Sequence, residues 1–257
     1  MASKKLVVSK CEYSFGWKPS LPDHRDHKFN LSLESLPAKV DPLGSGNIVE
    51  NQGQLGSCTG HACTTALEIV TGSKQLSRMM AYYNGRLFEG TTKIDAGAYL
   101  RDVIKGFIRY GVAPEVFWPY VTTEFARVPS AAAYKQGLQI IPRVLSYQSI
   151  GSLIEFKTAL AHGLPVVFGF AVPQSFVSTE TARTGWAQYP SATDRIIGGH
   201  AVTAIGYDDT ASTPYVWVRN SWGPNWGING NFKMPYKWFE NINQNLVSDC
   251  WVIKPKI

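Results

Sequence analysis

Gln52-Gly53-Gln54-Leu55-Gly56-Ser57-Cys58 opens into Thr59-Gly60-His61-Ala62-Cys63 and on to Thr71, where Gly72 stops the run. The turn-forming glycines, a serine suited to an N-cap and the apolar Ala62, Leu67, Ile69 and Val70 predict a helix over 58–71. Cys58 then lies in the first helical turn. Unpaired backbone N–H groups and the helix dipole favour a thiolate there, the form that attacks a carbonyl carbon. A lone cysteine at a helix start is also an ordinary packing residue, so the rest of the chain has to supply a base.

Outward from this stretch, the segments change character. Ser77–Glu89 reads as a helix with Leu76, Met80, Tyr83 and Leu87 on one stripe. Gly97–Tyr110 follows, with Leu100, Val103, Ile104, Phe107 and Ile108 at helical spacing. A fourth helix starts at the capping box Ser152/Glu155 and ends at Gly163. From Pro165 the period becomes strand-like: 165–172, 200–207, 214–220, 231–234 and 247–253 are apolar and β-branched. Helices first and strands later predict an α+β protein of two lobes, about 48–145 and 146–257. Residues 1–47 are irregular, with Tyr13, Phe15 and Trp17 among prolines and acids, and read as an arm laid over the body.

The 257 residues are 44% hydrophobic and 17% charged, a globular composition with a net charge of only +6. The basic residues are scattered, so no nucleic-acid partner is expected. No apolar run is long enough for a membrane span, and residues 1–20 lack the apolar core of a secretion signal. A cytosol is the expected compartment, or a virion or host cell for a viral protein. Cys11, Cys58, Cys63 and Cys250 have no paired spacing and form no disulfide framework. Cys63 reads as a core residue, and Cys11 could pair with Cys58 or Cys250. His61 on the Cys58 helix, and His24 and His27 in an acidic loop, lack the further ligands a metal site needs, so neither metal nor cofactor is expected.

Among the histidines, His200 follows two glycines at the mouth of a strand, in Gly198-Gly199-His200-Ala201-Val202. Asn220, closing the next strand, can orient an imidazole, and Trp222 can shield that bond from water. Each alone has a structural reading: a satisfied strand histidine, a turn residue, a core aromatic. Together with Cys58 they supply a nucleophile, its base and the orienter of the base.

These three blocks, in this order, resemble the papain-like cysteine peptidases, from about Val49 to the C-terminus. The resemblance implies a helical left lobe, an antiparallel β-barrel-like right lobe and a cleft between them. By position, it implies Cys58 as nucleophile, His200 as base then acid, Asn220 as ring orienter and Gln52 as oxyanion donor. It also implies a pre-ionised thiolate–imidazolium pair and peptide or protein substrates. Gly97 and Ala98 resemble the stretch that pairs with substrate backbone, while Gly169, Gly199 and Ala201 resemble walls of the main specificity pocket, with Trp222 beside them. Small walls predict a pocket for a bulky apolar or aromatic side chain. Leu55 stands where the family usually has cysteine, and Thr59 where it usually has an aromatic residue. The run from Gln52 to Thr59 is similar to the bacterial and large-virus branch, with its short leader. Residues 1–47 are thus expected to be either an autoinhibitory propeptide or a permanent strap. A catalytically silent papain-fold protein and a thiol acyl transferase are the alternatives to a peptidase.

Overall fold

Helix α1 (Cys58–Thr71) begins and ends where the sequence places it, and Gly72 closes it at φ 67°. It is buried nearly all round, from Cys58 through Thr64, which explains its near lack of charge. The computed structural model describes residues 13–32, 35–139 and 144–255. Two further helices pack on α1: α2 (Arg78–Phe88), capped by Ser77 Oγ accepting from Met80 N, and α3 (Leu100–Tyr110). Gly60 permits the α1–α2 contact, since a Cβ there would lie 2.9 Å from the Arg78 carbonyl. The expected stripes hold except at their ends: Leu87 and Ile108 are exposed. Gly97, at φ 68°, delays α3, so Ala98 and Tyr99 form a short strand instead of a first turn.

In chain order, the arm contributes strands β1 (Trp17–Lys18) and β2 (Lys39–Val40), and Ala98–Tyr99 is β3. A short helix, α4 (Ala131–Gly137), precedes β4 (Val144–Ile150). Then come α5 (Leu153–Ala161), β5 (Val166–Pro173), α6 (Thr179–Thr184), β6 (Ile196–Asp208), β7 (Tyr215–Arg219), β8 (Asn231–Pro235) and β9 (Val247–Pro255). Half of the capping box is as read, with Ser152 Oγ accepting from Glu155 N; the Glu155 carboxylate reaches one residue further back and accepts from Gly151 N at 2.7 Å.

The large sheet runs β4-β9-β5-β6-β7-β8, antiparallel throughout, with β2 paired to the far end of β6. Its outer strands β4 and β8 are not paired to one another among the described residues. The expected barrel-like lobe is thus an antiparallel sheet that stays open, interrupted by register shifts at β4–β9, β5–β6, β5–β9 and β6–β7. Period-two alternation divides the sheet between two cores. Val166, Phe168, Phe170, Val202 and Ala204 face the strand-rich core with Phe156, Phe232 and Trp238. Val167, Ala201, Trp251 and Ile253 face the helical core. No helix is long and apolar enough to cross a membrane, and no cluster of three metal-ligating side chains occurs, both among the described residues.

Between Lys28 and Val40 the described residues of the arm are fastened to the strand lobe. Lys28 bridges Ser149, Tyr207 Oη donates to the Pro37 carbonyl, and Val40 pairs with Tyr207. Phe29 is buried in the strand-rich core. Phe29→Ala removes this anchor, and a denaturant melt is expected to show a loss of about 3 kcal/mol; an unchanged midpoint would mean the arm is not part of the folded unit.

Candidate active site

The helical lobe brings Cys58 to the cleft at the start of α1, and the strand lobe brings His200 on β6 and Asn220 just past β7. His200 Nε2 donates to Asn220 Oδ1 at 2.8 Å, and that oxygen also accepts from Ser221 N at 2.8 Å. Donation through Nε2 leaves Nδ1 as the free acceptor nitrogen of a neutral imidazole. Nδ1 is buried and without a hydrogen-bond partner. Trp222 stacks on the ring at 4.8 Å and 23°, and Phe170 meets it edge-on at 5.8 Å.

Gln52 is fixed at every polar atom. Its N–H donates to the Ser221 carbonyl, its Oε1 accepts from Ser221 Oγ at 2.6 Å, and its carbonyl accepts from Tyr120 Oη at 2.8 Å. With Oε1 held on Ser221, the Nε2 group is turned into the cleft. It donates to the Leu55 carbonyl at 2.9 Å and to the Ser14 carbonyl, from the arm, at 3.1 Å. Tyr120 Oη also lies 2.5 Å from Ser57 Oγ. One hydroxyl thereby ties the Gln52 backbone to the residue preceding Cys58.

That contact corrects a detail of the sequence reading. Ser57 makes no side-chain cap bond on α1, because its hydroxyl is taken by Tyr120. His61 packs behind it, its Nδ1 on the Ser57 carbonyl at 3.1 Å and its ring edge-on to Tyr120. Burial and the nearby Arg78 cation hold His61 down at about 3, a neutral core residue. Thr59, in the place of an aromatic residue, is fully buried with its hydroxyl unpartnered, and Leu55 joins the helical core. Cys58, Cys63 and Cys250 are free thiols; Cys11 lies outside the described residues, and with it the pairings considered for it.

Residues 13–18 of the arm lie across the cleft. Tyr13 stacks on Trp222 at 4.0 Å, and Phe15 meets both Trp222 and His200 edge-on. The Gly16 carbonyl accepts from Ala98 N at 2.9 Å, and β1 pairs in parallel with β3. Trp17 fills the space over Gly169 and Gly199, where an added Cβ would lie 1.8 and 2.7 Å from its ring. Five of the residues expected to bind substrate thus touch the arm: Gly97 and Ala98 its backbone, Gly169 and Gly199 the Trp17 ring, Trp222 the Tyr13 ring; Ala201 faces the helical core. Lys18–Glu89 and Arg101–Asp26 ion pairs hold its far side to the helical lobe.

Enclosure changes the protonation state. Burial pushes the Cys58 thiol up to about 11, although backbone N–H groups of Ala201 and Gly16 pull in the other direction. Burial holds His200 down at about 4, against the opposing pull of Asn220. Burial displaces both groups toward their neutral forms, the reverse of the pre-ionised pair that the resemblance implies. Linkage follows in sign. The covered fold keeps the Cys58 proton between its ordinary 9.0 and 11, so stability from this group is lost as pH rises through that range. It refuses the His200 proton between 6.5 and 4, so stability from this group is lost as pH falls through that one.

Tyr120 and Ser221 escape sequence reasoning for different reasons. Ser221 sits inside the Asn220–Gly223 block and could have been taken with it; Tyr120 is 63 and 68 residues from its partners and carries no local signal. Thiolate absorbance, taken as the difference between the full chain and Cys58→Ser, is expected to be absent at pH 7 and to grow only as pH approaches 11. Absorbance already present at pH 5 would mean that the ion pair survives under the arm.

A family model described as papain family cysteine protease matches residues 36–249. An uncharacterised peptidase C1-like protein of Acanthamoeba polyphaga mimivirus is 34% identical, over 97% of this chain and 89% of its own. Pro-cathepsin H of Bos taurus is 30% identical over 76% of this chain, which spans 59% of that precursor. The crystal structure of xylellain, a cysteine protease from Xylella fastidiosa, superposes with a TM-score of 0.87 at 33% identity, over 98% of this chain and 100% of that one. The viral and bacterial relatives agree with the branch that residues 52–59 resemble. The chain belongs to the papain family of cysteine proteases.

Proposed function

We propose that this chain hydrolyses peptide bonds through a thioester on Cys58, and that residues 13–18 keep it latent until they are displaced. The observation that carries the reading is the Ser14 carbonyl on Gln52 Nε2, a carbonyl oxygen seated where an oxyanion would form. The Gly16 N–H, from the same segment, acts on the Cys58 thiol. The arm therefore occupies the Gln52 side-chain donor and lies against the sulfur.

With the arm displaced, water re-enters and the reason for the shifted pKa values goes with it. His200 Nδ1, the free acceptor, takes the Cys58 proton while Asn220 holds the ring. The sulfur attacks the carbonyl carbon of a substrate, and negative charge develops on its oxygen. Gln52 Nε2 and the Cys58 backbone N–H are the donors placed for that charge, the former worth about 2.7–4 kcal/mol in such a role. His200 then gives its proton to the departing amine, leaving an acyl group on sulfur. A water that yields its proton to His200 hydrolyses the thioester and restores the thiol.

Two substitutions test this. In the full-length chain, replacing Tyr13, Phe15 and Trp17 together by alanine is expected to raise fluorogenic peptide hydrolysis at pH 7 by at least tenfold, with faster covalent labelling of Cys58 by an epoxide inhibitor. Cys58→Ala added to that variant should abolish both signals. Equal activity with and without the three aromatic side chains would remove the latency; labelling without hydrolysis of any peptide would remove the peptidase.

A further inference from the structure

Gln52 and Cys58 carry the two donors assigned to an oxyanion, yet the turn between them contains two glycines, with Gly53 at φ 60°. That turn ties its own ends only loosely: the Leu55 N–H reaches the Gln52 carbonyl at 3.4 Å, a long and weak bond. The shorter tie comes from outside, where Tyr120 Oη donates to the same carbonyl at 2.8 Å. A phenol has one proton to give, so the 2.5 Å contact between Tyr120 Oη and Ser57 Oγ needs the serine as donor. Proton directions are thereby fixed from Ser57 through Tyr120 to the Gln52 carbonyl, and in such a chain each bond strengthens the next. Ser57 is fully buried and makes no cap bond on α1, so its hydroxyl serves this chain instead.

Tyr120 is itself held firmly. The Glu115 carboxylate accepts from Tyr120 N, and Glu115 N donates to the Gln75 carbonyl at 2.6 Å. Ser77 Oγ, the cap of α2, donates to the Trp118 carbonyl at 2.6 Å. Residues 115–120 are thus pinned to the start of α2, and the His61 ring on α1 meets the Tyr120 ring edge-on at 4.8 Å. Burial pushes the phenol above its ordinary range, so it stays a donor at neutral pH. At the other end of Gln52, Ser221 holds Oε1 and sets which way the amide faces. Tyr120 sets where that residue stands relative to Cys58.

We propose that Tyr120 is a positioning residue for attack by Cys58 on a carbonyl: its hydroxyl fixes the spacing of the Gln52 side chain and the Cys58 N–H, so that both meet the oxygen of the tetrahedral intermediate at once. The proposal rests on the reading of Cys58 as a peptidase nucleophile. Oxyanion donors act on charge that develops only after the substrate is bound, and a displacement smaller than an atom is enough to lose one. Loss of the hydroxyl should therefore lower kcat and kcat/KM together, as for an interaction made only in the transition state. Alkylation of Cys58 by iodoacetamide is different in kind. Sulfur bonds to a saturated carbon, iodide leaves with the electron pair of the C–I bond, the thiol proton goes to His200 and on to solvent, and no oxyanion forms. That reaction has no use for Tyr120.

The test is Tyr120→Phe, which removes only the hydroxyl, made in the full-length chain that already carries alanine at positions 13, 15 and 17. With a fluorogenic peptide, kcat is expected to fall by about tenfold or more while KM stays within about twofold. A peptide aldehyde gives a second readout that needs no turnover. Cys58 Sγ bonds to the aldehyde carbon, the C=O π bond opens, and the thiol proton passes through His200 to the new oxygen, which lies against the same two donors. Its inhibition constant should rise by about tenfold or more, while alkylation by iodoacetamide keeps its rate within about twofold. An unchanged kcat and inhibition constant overturn the proposal. So does an equal loss of aldehyde affinity and alkylation rate, which is the mark of a disturbed fold. If Tyr120→Phe weakens the aldehyde while the parent cleaves no peptide, the peptidase reading fails and the placing of the donors by Tyr120 stands.

Discussion

Cys58 and His200 come from different lobes, and the seating of α1 on β6 is what makes them neighbours. Thr203 Oγ1 donates to the Ala62 carbonyl at 2.9 Å across that seam, fully buried. Ala201 beside it belongs to the helical core, while His200 and Val202, one residue either way, turn toward the strand-rich side. A shift of β6 by one residue would exchange those faces and take the histidine out of the cleft. Ala62 on α1 and Ala201 on β6, both small and buried in the helical core, serve the same end, because a larger side chain at the seam would hold the lobes apart.

Precision at the seam has an electrostatic consequence. A site assembled between two packed cores is dry, and a dry site disfavours ions unless something replaces water. Asn220 offers His200 one such replacement, and the Ala201 and Gly16 amides offer Cys58 others, yet burial outweighs them for both groups. The arm acts on the two groups in different ways: Phe15 lies edge-on to the imidazole, while the Gly16 N–H works against the burial of the sulfur.

Much of the catalytic geometry was legible because its determinants are local. A capped or punctuated helix start, a glycine pair before a strand histidine and an asparagine at a strand end are each written within a few residues. What was not legible depends on contacts across the chain. Tyr120 reaches Gln52 and Ser57 from a loop with no periodicity; Asp249, the acceptor for the Trp17 indole N–H, acquires its aim from a bulge that exists only in the pairing of β9 with β5. How far the barrel-like lobe closes was not legible for a related reason: strand runs predict a sheet, while closure depends on whether β4 and β8 meet, which no local pattern encodes. The arm posed a choice between plug and strap, and its two halves answer differently. Residues 13–18 lie over the cleft, while residues 28–40 anchor into the strand lobe through Phe29 and β2.

That division sets the terms on which the arm can be displaced. Because residues 28–40 stay attached to the sheet, the occluding segment is tethered and competes at high effective concentration, so a substrate cannot win by backbone pairing alone. Trp17 adds to that hold from inside the cleft, its indole N–H bonded to Asp249 Oδ2 at 3.0 Å, so the anchored half of the arm and the half over the cleft are fastened independently.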